Sequence, residues 1–406
     1  MKKSHVIIFS IIGLMLLAFN LIFLDTGVNF DEISDNVNHE QVSPQRLFDN
    51  TWGEVRDSYY DPAMNGQSWY RWKDRYRAKI KTPDDARVAI DTMLASLDDP
   101  YSKFMGKDEY ADQNASIKSK ITGIGVNIAS ISGKIEIVSV VEGTPAQGAN
   151  LLPKDIILAI DGKDVSGLTM TDVVNLVRGP ENSFVELTVL RNNEKINKKL
   201  IRKEIKVKTV KSSVDKNLGY IQITSFIGAT TPNEFLEALE NTNNTKGLII
   251  DLRGNTGGLL PNAVFIANLF IPEGNLVSIV GRNGFRHNIQ AHNADFIIDK
   301  PLVVLVDGAS ASASEILSGA LKDYKRATLL GTQTFGKGMV QKIIPLPNET
   351  GLNLTVAKYL TPHGHDINKK GIAPDVHVEF SLNDVKTGTD AQLNHAKTLL
   401  AQMISE

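Results

Sequence analysis

Pro301-Leu302-Val303-Val304-Leu305-Val306-Asp307-Gly308-Ala309-Ser310-Ala311-Ser312-Ala313-Ser314-Glu315 is the stretch on which the fold turns. Its first six residues form an unbroken apolar run of strand length, and a strand without a polar side is covered on both faces. A helical pattern follows from Ala313, with Ile316, Leu317, Ala320, Leu321 and Tyr324 on one face. The residues between are small, so backbone can approach a substrate closely. They also lie at a helix N-terminus, whose free N–H groups favour negative charge. A serine at this junction stands at the carboxyl edge of a sheet, where α/β proteins bind ligands. An Ala/Ser-rich loop with an N-cap accounts for the same residues equally well. The stretch alone therefore predicts an α/β layer and leaves its chemistry open.

Working outward, Leu218 to Ile223 and Gly247 to Leu252 read as buried strands and Pro232 to Glu240 as a helix, so residues 206–380 alternate as a largely parallel α/β core does. Gly331-Thr332-Gln333-Thr334-Phe335-Gly336-Lys337-Gly338 contains G-x-x-x-x-G-K, the beginning of a phosphate loop. The next residue should then be Ser or Thr and open a helix; it is Gly338, and Met339 to Leu346 looks like a strand, so the nucleotide reading fails. Lys337 is better used as a base. A serine hydroxyl needs its proton removed, and the eight histidines are scattered, only His363 and His365 being near neighbours. A lysine kept neutral by burial serves instead, and flanking glycines would let it enter a tight apolar site beside Phe335. An acyl-transfer oxyanion also needs donors. Leu252-Arg253-Gly254-Asn255-Thr256-Gly257-Gly258 follows a buried strand, and the N–H groups of Gly258 and Ala313 are the candidate pair, although a plain strand-ending loop fits that segment too.

Upstream, Ser43-Pro44 and Thr82-Pro83-Asp84-Asp85 are helix-start signals, and residues 43–115 form a helical region whose Trp52, Trp69 and Trp72 are expected in its core. From about Lys118 the pattern changes to short strands: 125–128, 135–141, 156–160 and 185–190, with a turn at Asp161-Gly162 and a capped helix at Thr169-x-x-Asp172. Residues 123–191 resemble a PDZ domain. Gly123-Ile124-Gly125-Val126 stands in the place of its carboxylate-binding loop, and Gly143-Thr144-Pro145-Ala146 and Asp155-Ile156-Ile157 follow in the expected order. The resemblance implies capture of a peptide C-terminus as an added strand. Leu152-Pro153-Lys154-Asp155 departs from the family, which usually has Gly before the Asp.

Composition sets the outer bounds. The chain has 406 residues, 44 Lys plus Arg, 46 Asp plus Glu and a net charge of −2, which excludes a general nucleic-acid field. Cysteine is absent, so disulfides, thiolate metal sites, a thiol nucleophile and a lipidated N-terminal cysteine are excluded together. Lys2 and Lys3 precede an apolar run from Val6 to Leu24 without a following small-x-small cleavage pattern. This reads as an uncleaved signal anchor in preference to a cleaved signal peptide. The polar stretch to Val42 reads as a tether, so the chain is expected to be inner-membrane anchored and to face the periplasm or another extracytoplasmic space.

Taken together, the segments from about 43 to 380 resemble the carboxyl-terminal processing proteases of the S41 serine peptidase family. Leu97-Asp98-Asp99-Pro100-Tyr101, Tyr359-x-Thr361-Pro362 and Gly371-Ile372-x-Pro374-Asp375 add to the match. The resemblance implies Ser312 as nucleophile, Lys337 as general base, Gln341 as the residue that positions it, Glu315 in support and Arg178 as a relay on the PDZ domain. It implies an α/β multidomain protein: signal segment 1–25, linker 26–42, helical N-terminal region 43–115, inserted PDZ-type β module 116–205, crotonase/ClpP-like layered Ser-Lys protease core 206–380, and tail 381–406. The tail reads as a helix for self-association, hence a homo-oligomer, or for capping the core. The implied partners are protein substrates recognised by their C-termini, a regulatory adaptor protein, and the membrane. No nucleic acid, cofactor or metal is expected, even at His363-Gly364-His365, where the family often has Ser-Gly-Arg. A membrane-tethered, non-catalytic PDZ scaffold is the alternative.

Overall fold

A computed structural model describes residues 38–117, 120–131, 133–206, 208–292, 297–380, 384 and 388–405. The apolar run at Val6–Leu24 and most of the linker lie outside them. Among the described residues no helix is long and apolar enough to cross a membrane. The chain divides into two compact units, one of residues 119–207 and one built from the segments on either side.

The first segment opens with α1 (Pro44–Ser58), where the Ser43 hydroxyl accepts from the Arg46 N–H and Pro44 takes the first helical position. Then come α2 (Tyr70–Tyr76) and α3 (Pro83–Ala95), which starts on a capping box between Thr82 and Asp85. Strand β1 (Lys103–Met105) and α4 (Lys107–Ile117) complete it. Trp52, Trp69 and Trp72 are buried in a cluster with Phe48, Ile90 and Met93, and this cluster extends onto Leu352 and Leu354 of the later chain.

The unit at 119–207 holds β2 (Lys120–Gly123), β3 (Val126–Ile131), β4 (Lys134–Val140), α5 (Pro145–Gly148), β5 (Ile156–Ile160), β6 (Lys163–Asp164), α6 (Met170–Val177), β7 (Phe184–Arg191), β8 (Glu194–Ile201) and β9 (Lys203–Lys206). Its main sheet runs β3-β4-β5-β7-β8, all antiparallel, with β6 hairpinned onto β5 through Asp161-Gly162. Val173 and Val177 of α6 close its core over Ile137, Ile157 and Leu187. Strand β3 stands at the sheet edge, so one row of its backbone groups is left unpaired by the sheet.

The remaining chain supplies β10 (Val210–Asp215), β11 (Leu218–Ile223), α7 (Thr231–Asn241), β12 (Gly247–Asp251), α8 (Leu260–Asn268), β13 (Asn275–Gly281), β14 (Arg286–Gln290), β15 (Leu302–Val306), α9 (Ala313–Asp323), β16 (Thr328–Gly331), β17 (Met339–Leu346), β18 (Thr350–Leu360), β19 (Val376–His377) and α10 (Ala391–Ser405). One sheet has the order β10-β11-β12-β15-β16-β19, with every pair parallel except β10 with β11. All five residues of β12 and of β15 are buried. The two-residue strand period explains how. Ile250, Val304 and Val306 face the core under α7, α8 and α9, while Ile249, Val303 and Leu305 face Ala396 and Leu400 of α10. Thus α10 caps the second sheet face. A second sheet is built around β18, which pairs with β17 along one side and with β1 and then β13 along the other.

Candidate active site

Three neighbouring parallel strands, β12, β15 and β16, each release a loop from their carboxyl ends, at 252–259, 307–312 and 332–338. The loops carry Gly258, Ser312 and Lys337 respectively, so residues far apart in sequence share one edge of the sheet. Fully buried Asn255 ties the first two loops. Its carbonyl accepts from Ala311 N–H (3.0 Å) and Ser314 Oγ (2.8 Å), its amide donates to Ile223 O (2.8 Å), and its Oδ1 accepts from Gly257 N–H (2.9 Å).

Ser312 has φ 55° and ψ −113°, a conformation that costs a non-glycine residue about 1–3 kcal/mol. Its surroundings hold it there. Its N–H donates to Glu315 Oε2 (2.9 Å), and its carbonyl accepts from the N–H groups of Glu315 (2.8 Å) and Ile316 (2.9 Å) and from the Tyr359 hydroxyl (3.0 Å).

Two fully buried groups fasten the serine turn to the lysine loop. Glu315 Oε2 accepts from Lys337 N–H (2.9 Å) as well as from Ser312, and its Oε1 accepts from Gly336 N–H (2.7 Å) and Thr334 Oγ1 (2.6 Å). A buried carboxylate is tolerated when hydrogen bonds of this number satisfy it. The N–H groups that resemble a phosphate loop therefore face the protein's own carboxylate, and β17 follows where a nucleotide site needs a helix. The second group is the Tyr359 hydroxyl, 3.0 Å from Ser312 O and 2.7 Å from Lys337 O. Burial raises its pKa well above the usual phenol range, so it stays a donor.

Lys337 is half-buried, and burial lowers its ammonium below the usual lysine range, against the opposing charges of Asp99 and Glu315. Its Nζ lies 4.8 Å from the centroid of the Tyr101 ring. This corrects the expected surroundings: Phe335 is 57% exposed, its N–H donating to Ser310 O, and the ring beside the Lys337 ammonium is that of Tyr101. Tyr101, Asp99 and Tyr359 were visible only as parts of recurring segments. Nothing in their local spacing announces a place beside Lys337.

Gly257 and Gly258 lie against the serine turn. A Cβ on Gly257 would stand 2.8 Å from Ser312 Cβ and 3.0 Å from Ala313 N, and one on Gly258 (φ 145°) only 2.3 Å from Ile227 N. Only glycine fits there. Among the described residues neither the Gly258 nor the Ala313 N–H has an acceptor, while those of Gly257, Leu259, Ser314 and Glu315 are all engaged. Two free backbone donors at a helix N-terminus suit a developing oxyanion.

Other residues singled out from sequence lie elsewhere. Gln341 sits at a bulge in the β17–β18 pairing, with its amide 3.5 Å from Thr355 Oγ1, and among the described residues it makes no hydrogen bond to Lys337. Arg178 is the C-cap of α6, its N–H donating to Val174 O. Gly123 ends β2 and Val126 begins β3; between them the carbonyls of Ile124 and Gly125 accept from Ala146 and Val141, whereas the N–H groups of Ile124 and Gly125 have no acceptor among the described residues. His363 and His365 face Asp323, and no group of three or more metal-ligating side chains is assembled among the described residues.

Comparison with known proteins gives this geometry a family. The Peptidase family S41 model matches residues 217–378, and a carboxyl-terminal-processing protease of Synechocystis is 37% identical over 371 residues, covering 88% of this chain and 86% of its own. The chain belongs to the S41 peptidase family. It is a serine-type, C-terminal processing peptidase of mixed α/β build. Residues 136–191 of this S41 peptidase match the PDZ domain and residues 42–86 the tricorn protease C1 domain. A carboxy-terminal-processing protease of Bartonella bacilliformis is 37% identical over 360 residues, covering 86% of this chain and 82% of its own. A solved photosystem II D1 C-terminal processing protease aligns with a TM-score of 0.58 at 32% identity, over 84% of this chain and 94% of that one.

Proposed function

We propose that the peptidase works through a Ser-Lys dyad. Neutral Lys337 takes the proton of the Ser312 hydroxyl as its Oγ bonds to the peptide carbonyl carbon. The Gly258 and Ala313 N–H groups receive the oxyanion. The proton passes to the leaving amine as the C–N bond breaks, and water then hydrolyses the acyl-enzyme. The observation that carries this reading is the double fastening of Ser312 to Lys337 through Glu315 and Tyr359, beside two unengaged N–H groups. Glu315 and Gln341 act as positioning residues.

The PDZ unit would bind substrate C-termini, with the Ile124 and Gly125 N–H groups receiving the terminal carboxylate and the peptide adding beside edge strand β3. Arg178 would relay occupancy of that unit. The core belongs in the crotonase/ClpP-like layered class, and the Val6–Leu24 run holds the chain at the inner membrane facing the extracytoplasmic space, where it trims protein tails. A regulatory adaptor and self-association remain parts of this proposal. The non-catalytic scaffold reading leaves the fastening of serine to lysine without a purpose.

The test is labelling by a fluorophosphonate probe together with cleavage of a protein ending in an apolar tail. Ser312→Ala and Lys337→Ala should each lose both while keeping the wild-type circular dichroism and melting temperature. Turnover retained by either variant would overturn the dyad.

A further inference from the structure

The segment from Tyr70 to Lys81 carries Arg71, Lys73, Arg75, Arg77, Lys79 and Lys81 against the single acid Asp74, in a chain whose net charge is −2. All seven charged side chains are exposed, and Tyr70 is 60% exposed among them. An ordinary solvated segment intersperses both signs; this one does not until Asp84 and Asp85 at the start of α3, where Asp85 Oδ2 accepts from the Lys81 N–H (3.0 Å). Arg77 pairs with Asp74 at 3.1 Å, and the other five basic groups have no carboxylate partner among the described residues. Several are spread over an aromatic platform: Arg71 and Arg75 stand 4.8 and 5.6 Å from the Trp72 ring, and Lys73 4.8 Å from Trp52. The platform is fixed from beneath, because Trp52 and Trp69 each donate their indole N–H to the other's carbonyl.

We infer that this patch is a docking surface for anionic phospholipid headgroups. It rests on the reading that the Val6–Leu24 run holds the chain at a membrane. Residues 25–43 span at most about 65 Å even fully extended, so α1, which packs directly against the patch, is held within that distance of the bilayer and can reach it. An exposed tyrosine among Lys and Arg suits the headgroup layer, where its ring and their charges are both accommodated. The acidic balance of the rest of the chain disfavours a nucleic-acid partner. Docking would set the height and orientation of the peptidase segments over the surface.

The test uses the full-length chain with vesicles of phosphatidylcholine alone or mixed with phosphatidylglycerol, each carrying a trace of dansyl lipid. The chain has three tryptophans, Trp52, Trp69 and Trp72, all in this platform, so tryptophan-to-dansyl energy transfer reports on the patch alone. Transfer should be strong with phosphatidylglycerol, weak without it, and lost in high salt. In the triple variant Arg77→Gln, Lys79→Gln, Lys81→Gln the docked-to-undocked ratio should fall about fivefold per charge, on the order of a hundredfold in all. Unchanged cleavage of a soluble peptide by this variant serves as the folding control. Equal transfer in both lipids, or in both proteins, would overturn the inference. So would binding of soluble polyglutamate to the patch with no response to phosphatidylglycerol, which would make the partner an acidic protein. Flotation separates the two readings: failure to float with neutral vesicles overturns the anchor alone, and the patch is then judged by flotation with phosphatidylglycerol.

Discussion

Replacing Tyr359 by Phe removes one oxygen from the centre of the site. The ring lies in the main core and is 1% exposed, so Phe keeps nearly all of its apolar contacts. What is lost is the donor to two carbonyls. Ser312 O keeps the Glu315 and Ile316 N–H groups at 2.8 and 2.9 Å, whereas Lys337 O has no other donor among the described residues. A buried carbonyl left without a partner costs about 1–3 kcal/mol. Glu315 still grips the Lys337 N–H, so the loop should shift and not unfold. If the whole cost falls on the alignment of Lys337 with Ser312, kcat drops roughly 5- to 150-fold. The assay is steady-state cleavage of a tailed substrate, with fluorophosphonate labelling and a thermal melt alongside. The expected result is a lower kcat with KM held and labelling slowed in parallel. Wild-type kcat with a lowered melting temperature would refute the reasoning, because the hydroxyl would then serve stability alone.

Two further outcomes follow from the same geometry. On the proposed dyad the neutral form of Lys337 is the reactive one, so kcat/KM should rise with pH along a limb lying below the usual lysine range; Asp99 favours the charged form, so Asp99→Asn should move that limb to lower pH, and an unmoved or raised limb would refute the coupling. Gly258→Ala places a methyl group 2.3 Å from Ile227 N and should abolish turnover while peptide capture by the PDZ unit persists, measured by fluorescence anisotropy of a labelled tail; an active variant would exclude Gly258 from the oxyanion site.

The legible parts of the fold were those with local causes. The short runs at 247–251 and 302–306 became strands buried along their whole length, Asp251 included, because a strand with both faces covered buries every side chain, while 218–223 became a strand that fully buries only alternate residues. The start signals at Ser43-Pro44, Thr82 and Thr169 became capped helices because a cap is made by residues three apart. The helix from Ala313 was expected to show one apolar face, yet Ser314, Glu315, Ser318 and Gly319 are buried too. Ser314 and Glu315 find partners in neighbouring loops, which no periodicity records, while the Ser318 hydroxyl donates to Ser314 O within the helix.

Sequence by itself determined the strand-to-helix junction at Ser312, the family and the types of residue available for chemistry. Without cysteine and with scattered histidines, a partner for the serine is to be sought elsewhere, and Lys337 fits. Only the tertiary structure decided what surrounds that lysine. Parallel neighbours β12, β15 and β16 bring three distant loops to one edge, and β18 delivers Tyr359 beneath them. Tyr101 and Asp99 arrive from another segment altogether, since β1, just after them, pairs with β18. Local sequence fixes hydrogen bonds within a turn. The pairing of strands far apart in the chain decides which turns meet, and that meeting buries Lys337, which lowers its pKa, and gives Glu315 its donors from Thr334, Gly336 and Lys337.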